Sequence, residues 1–233
     1  MEHSEKLLDA KERLLMQAIE RHSVIARSCG CMWYSGCQTT VAHDHVTWTS
    51  PTMAIATTLW VDLDQTYYVE AGGYHADLFA HELARSVDRV GIQLLADRAE
   101  RLPGPRLGRD WADVVYEAAG DAATGRLMVV VPAHRLASMM EHPEYTCGVA
   151  GTADTLAGAR VLVCLDPELT VEATDDRGPA PAAVVYRDDS LVVAARPPGM
   201  RLLPRRHPYD PRVQARMTFG LAPTPSLKSY VVR

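Results

Sequence analysis

Lysine is almost missing from this 233-residue chain: Lys6, Lys11 and Lys228 are the only three, and asparagine is absent altogether. The remaining cations are arginines, and acids outnumber bases to give a formal net charge of −5. A protein that grips nucleic acid through its phosphates usually shows the opposite excess. The first 23 residues, MEHSEKLLDAKERLLMQAIERHS, are charged throughout and lack the apolar core of a secretory signal. No apolar run is long enough to span a bilayer; LMVVVPA is typical of the longest. Five cysteines, an odd number, without an export signal point to a reducing compartment and mostly free thiols. The small-residue stretch GVAGTADTLAG lacks both the dinucleotide glycine order and a phosphate-loop lysine. There is no G-x-S-x-G elbow for a serine nucleophile, and His81-Glu82 is not followed by the second histidine of a zinc-protease helix. His75, His81 and Glu82 read as solvated polar positions.

What is present is ample apolar material, 47% of the residues, arranged in two periods. Residues 5–27 carry Leu7/Leu8, Leu14/Leu15, Ala18/Ile19 and Val24/Ile25 at helical spacing, a single stripe that must dock on something. HVTWTS and IATTLWVDLDQTYYVEAG are rich in Thr, Val, Trp and Tyr and read as a long β-hairpin joined near Ser50-Pro51. Asp62 and Asp64 fall on the wet face of its second strand. A long helix is expected from Tyr74 to about Arg101. Its apolar stripe is Phe79, Leu83, Val87, Val90 and Leu94, with Arg85, Asp88, Arg89, Asp97 and Arg98 on the other side. DWADVVYEAAG should be a helix capped by Asp110, RLMVVV a buried strand, and PAHRLASMMEH a helix entered through Pro132. ARVLVCLD is a second buried strand, with Cys164 as inert core. AAVVYRDDSLVVAARP reads as a hairpin turning at Arg187–Ser190. In RVQARMTFGL, Val213, Ala215, Met217 and Phe219 alternate with Gln214, Arg216 and Thr218. The class is α+β.

One segment concentrates chemistry. CGCMWYSGCQTTVAHDH, Cys29 to His45, has zinc-type ligands in the order C-x-C-x5-C-x5-H-x-H. A zinc finger would instead pair its ligands in two knuckles. Free thiols on a connecting loop, or a thiol contact between subunits, fit the spacing as well. RLLPRRHPYDPR is basic and proline-rich, and reads as a rigid loop whose arginines meet neighbouring acids or phosphate.

The order of elements resembles the major capsid protein of tailed double-stranded-DNA bacteriophages, a fold shared with encapsulins. LWVDLDQTYYVEAGGYHADLFAHELARSVDRVGIQLLADRAE resembles that family's hairpin return running into its spine helix. GRLMVVVPAHRLASMMEHPEY resembles its strand–proline–helix segment, TLAGARVLVCLDP the following strand, and PAAVVYRDDSLVVAARPP the hairpin near the C-terminus. The likeness covers roughly residues 45–220 and rests on order and spacing rather than on any one motif.

The resemblance implies an N-terminal arm and connector at 1–44, an extended β-hairpin at 45–73 and a spine helix of the peripheral domain at 74–106. An axial-type α/β domain at 107–195 and return strands at 196–233 complete it. It implies a structural subunit, not an enzyme, without cofactor or metal. Such subunits assemble with themselves as hexamers and pentamers into an icosahedral shell around double-stranded DNA, in the host cytoplasm and then the virion. Portal, scaffolding and decoration proteins are the further partners; a membrane is not. Some family members lock the shell with a Lys–Asn isopeptide bond, which a chain without asparagine cannot form in its own lattice. No scaffolding segment is obvious at the N-terminus, so either it is cleaved from a longer precursor or scaffolding is a separate protein; the initiator Met1 favours the latter. In this frame Cys29, Cys31 and Cys37, with Trp48 and Trp60, are expected at intersubunit contacts. Arg205, Arg206 and Arg212 are expected to make an electrostatic contact with DNA or a neighbour's acids. Two other readings remain open: an encapsulin-like shell enclosing a cargo enzyme, and a small metal-dependent enzyme built on Cys29–His45.

Overall fold

The computed structural model describes residues 13–33, 41–43, 46–48, 52–59, 72–105, 108–120, 126–149, 153–164, 183–203 and 212–232. Two compact units emerge. The first takes residues 1–88 and 192–222, the second 89–191 and 223–233. No helix among the described residues is long and apolar enough to cross a membrane.

The first unit begins with helix α1, residues 13–22, whose Leu15, Ala18 and Ile19 are buried. The apolar pattern continues smoothly past residue 22, yet the helix breaks at Ser23. Ser23 takes an extended backbone, and its hydroxyl accepts from Ala26 N to start a second helix, α2, Val24–Cys29. A serine that can satisfy a free N–H favours a new N-terminus over helix continuation. Gly30 ends α2 at φ 79°, a region open to glycine at little cost. Strand β1, Met32–Trp33, then pairs parallel with β11, Leu191–Ala195.

Strands β2 (Val41–His43) and β3 (Val46–Trp48) pair with each other. Strand β4, Thr52–Leu59, pairs antiparallel with β13, Arg212–Pro223. Among the described residues, therefore, β3 and β4, the parts of the expected hairpin flanking Ser50-Pro51, pair with β2 and β13 rather than with each other; the long alternating β13 offers β4 a longer register than the short β3 could. Asp62 and Asp64 lie outside the described residues. In β13 Ala215, Met217 and Phe219 are buried while Arg216 and Thr218 are half-exposed, the alternation expected of its sequence. Strand β12, Gly199–Leu203, completes this five-stranded sheet on the other edge of β13.

Helix α3, Gly72–Asp97, runs through the boundary between the units. Its buried stripe is Phe79/Ala80, Leu83/Ala84, Val87/Asp88, Ile92 and Leu95. The stripe is rotated from expectation: Val90 and Leu94 are only half-buried, and Asp88, placed by pattern on the wet side, is 5% exposed.

The second unit is a seven-stranded sheet in the order β5-β14-β10-β6-β9-β8-β7. The strands are β5 Glu100–Leu102, β6 Leu127–Pro132, β7 Tyr145–Thr146, β8 Thr155–Leu156, β9 Ala159–Cys164, β10 Ala183–Arg187 and β14 Ser229–Val232. The valine-rich β6 and β9 pair parallel, joined through α5, Ala133–Met140, which Pro132 enters as expected. Helix α4, Trp111–Ala119, lays Trp111, Val114, Val115 and Ala118 on the same core as Val129, Val131, Val161 and Val185. Asp110 caps α4, with Asp113 reaching back to complete a capping box. At the other end the buried Arg187 donates from Nη2 to the carbonyl of Ala119 at 2.7 Å, a cation at a helix C-terminus.

The turn expected at Arg187–Ser190 is present, with Ser190 N bonded to Arg187 O at 2.9 Å. The strands on either side do not form a hairpin. β10 pairs with β6 and β14 in the seven-stranded sheet, and β11 belongs to the five-stranded one. Thr224 holds the turn from the returning chain, its N–H on Ser190 O at 3.0 Å and its hydroxyl on Asp189 O at 2.7 Å.

The β8–β9 hairpin turns through only Ala157 and Gly158, at φ 48° and 80°. Both residues occupy the left-handed region that such a turn requires, and alanine pays a steric cost there. Ala157→Gly is expected to raise stability by about 1 kcal/mol, and Ala157→Val to lower it by at least as much, read by urea denaturation.

Candidate assembly region

The described residues among those singled out by sequence for contacts, Cys29, Cys31, Trp48 and Arg212, all lie in the first unit. Cys29 is the last residue of α2 and Cys31 follows the Gly30 turn; both are half-buried, and neither is in a disulfide. Burial, and then the charge of Glu20, push the Cys31 thiol up to about 12. A thiol so far from ionisation is a poor nucleophile. Glu20 also accepts from Trp33 Nε1 at 2.5 Å, which ties β1 back to α1. Trp48 ends β3, paired in register with Val41. Arg212 opens β13, opposite Leu59 on one side and Leu203 on the other. Cys37, Trp60, Arg205 and Arg206 lie outside the described residues. Cys164 is buried in β9 as expected of inert core, while Cys147 is exposed.

What fixes this region was not foreseen. Asp88 of α3 receives Ser23 Oγ on Oδ1 at 2.7 Å, Ile25 N on Oδ1 at 2.9 Å and Val24 N on Oδ2 at 3.0 Å. Helix α2 thus takes its N-terminal acceptor from another helix, while Ser23 both donates to that acceptor and caps Ala26 at 3.0 Å. These donors and the Arg27 charge favour the carboxylate, but burial outweighs them and pushes Asp88 up to about 6. Periodicity gave no signal for this contact, since it set Asp88 on the polar side of the helix and ran the apolar stripe of residues 5–27 straight through Ser23.

In the second unit a cleft of about 500 Å³ opens at the start of α4. Its polar groups are engaged with each other. His142 Nε2 stands 2.9 Å from Asp110 Oδ2, and Trp111 Nε1 donates to Ser138 Oγ at 3.3 Å. Arg109 Nη2 is 2.5 Å from Glu117 Oε2, an ion pair by distance whose N–H bonds do not aim at the carboxylate. The hydrogen bond from His142 and those from backbone N–H groups hold the Asp110 carboxyl below its usual range. Nearby, Tyr145 donates to Asp154, whose other oxygen accepts from Gly148 N at 2.8 Å. The arrangement shapes helix ends and a loop. Among the described residues no three metal-binding side chains converge.

No family model and no curated protein matches the chain. Solved structures do. The virus-like particle from Pyrococcus furiosus superposes with a TM-score of 0.57 over 96% of this chain and 99% of its own, at 9% identity. The capsid of an empty GTA particle gives 0.51 over 86% of each chain at 14% identity. The procapsid of satellite phage P4 gives 0.50 over 95% of this chain and 90% of its own at 8% identity. The chain therefore has the α+β fold of viral shell subunits. Within that class, its likeness is to the phage-capsid fold that the order of elements resembles.

The Asp88 junction has a definite energetic signature. An aspartate near 3.9 when unfolded and about 6 when folded binds more protons in the folded state between those values. Stability should then fall by about 2–3 kcal/mol as pH rises from about 4 to about 6, and level off above. Asp88→Asn should abolish this component of the slope in thermal melts across that range. Asp88→Ala, which strands three buried donors, should cost about 3 kcal/mol at neutral pH.

Proposed function

We propose that this chain is a structural shell subunit that assembles with itself into an icosahedral capsid around double-stranded DNA. The observation that carries the reading is superposition on a virus-like particle subunit across nearly the whole of both chains. The physics of the chain supports it. A net charge of −5 suits a wall that confines DNA rather than gripping it. The polar clusters of the second unit brace helix ends and turns, so the reading assigns no catalytic step. The workplace is the virion, after assembly in the host cytoplasm. Portal, scaffolding and decoration proteins are the further partners this reading invites.

Residues 1–44 act as arm and connector and residues 45–73 as an extended element toward a neighbour. Residues 74–106 are the spine, 107–195 the axial-type domain and 196–233 the returning strands. Cys29, Cys31 and Cys37, with Trp48 and Trp60, pack at or near a neighbouring copy. Arg205, Arg206 and Arg212 meet a neighbour's acids or DNA.

Expression of the chain, size exclusion and negative-stain microscopy test the reading. Closed particles of uniform size holding nucleic acid are expected. Particles holding a protein cargo would turn the reading toward an encapsulin-like compartment, and a small species under all assembly conditions would overturn it. Replacing Cys29, Cys31 and Cys37 together by serine should leave folding intact and alter only particle robustness. Arg205→Glu should cause a salt-dependent loss of assembly if the contact is with a neighbour's acids; unchanged particles would remove both electrostatic contacts.

A further inference from the structure

The cleft at the start of α4 is held in shape by its own side chains. His142 donates from Nε2 to Asp110 and accepts at Nδ1 from the N–H of Glu144 at 3.1 Å, so both ring nitrogens are engaged. Ser138 accepts from Trp111 and donates to Arg135 O at 2.8 Å. Glu117 stands against Arg109. Two surfaces are left over. Pro105, Trp111 and Pro143 supply an apolar wall. Glu141 lines the cleft, is exposed, and has no hydrogen-bond or ion-pair partner for its carboxylate among the described residues. It sits at the C-terminal end of α5, where an acid opposes the helix dipole, so local stability does not explain it.

We propose that this cleft receives an arginine, with its adjoining proline, from residues 204–212 of a second copy of the chain. The inference rests on the reading of the chain as a self-assembling shell subunit. The charges are complementary. Asp110 and Glu141 line the cleft, and the Asp110 carboxyl, held below its usual range, stays ionised at neutral pH. Residues 204–212, PRRHPYDPR, carry three arginines against one acid. A cation offered by a second copy is nearly always an arginine, since the chain holds only three lysines. A guanidinium also suits the site better than an ammonium would: its flat face lies against the tryptophan and proline wall while its fork meets the Glu141 carboxylate. The prolines of the segment limit the entropy lost when it is fixed in place. A cleft of about 500 Å³ suits one or two side chains rather than a whole strand.

A charge swap in the full chain tests the contact. Glu141→Arg should keep the fold, because an arginine suits a helix C-terminus. It should lower particle yield about tenfold or more, as should Arg205→Glu combined with Arg206→Glu, and joining all three changes should restore much of the yield. A second measurement does not depend on assembly. A synthetic peptide of residues 201–212, RLLPRRHPYDPR, is added to the chain carrying Arg205→Glu and Arg206→Glu, and binding is read by fluorescence anisotropy. Binding should weaken with salt and fall about tenfold or more when Glu141→Arg is added. Normal particles from Glu141→Arg, together with no peptide binding, would overturn the contact and leave the shell reading standing. A chain that never forms particles yet binds the peptide through Glu141 would overturn the shell reading and keep the contact. Arginine variants that lose nucleic acid while Glu141→Arg particles stay normal would assign the arginines to DNA and overturn the contact.

Discussion

A single buried carboxylate decides how the N-terminal part of this chain lies. Helix α2 starts inside the protein, where its first N–H groups cannot reach water, and Asp88 accepts two of them together with the Ser23 hydroxyl. An unmet buried donor costs about 1–3 kcal/mol, so α2 cannot start elsewhere at equal energy. The break at Ser23, the turn at Gly30 and the parallel pairing of β1 with β11 all follow from that start.

The second unit rests on a different principle. Its sheet is held by apolar strands such as β6 and β10, whose inner residues are buried on both faces. Some polar side chains there occupy the corners and meet a backbone group that regular structure leaves unpaired. Arg187 meets the end of α4, and Ser229 donates to the carbonyl of Leu95 at 2.9 Å. Such corners fix where one element hands over to the next.

Sequence alone revealed the parts that depend on local chemistry. The Asp110 cap, the Pro132 entry to α5, the buried β6 and β9 and the alternation in β13 all express neighbouring residues acting on one another. The order of elements was legible enough to suggest the shell fold. Pairing was less so. The runs on either side of Ser50-Pro51, and those flanking Arg187–Ser190, look like hairpins by spacing. Their true partners are set by the sheet that each strand enters, which no local pattern records. Asp88 was misplaced for a related reason: periodicity assigns a charge to the wet side, and only the arrival of α2 makes a dry position favourable. Cys29 and Cys31 drew attention as chemistry, yet the burial that raises Cys31 quiets it.

The strand orders also govern when a copy becomes whole. In the seven-stranded sheet β14 lies between β5 and β10, although it follows every other strand of that sheet in the chain. In the other sheet β13 joins β4, β11 and β12, each of which precedes it. Both sheets therefore stay open during synthesis until residues 212–232 arrive, and then close together. Pairing across such separations is slow, and until it happens each sheet carries an unpaired strand edge, which another chain could template on.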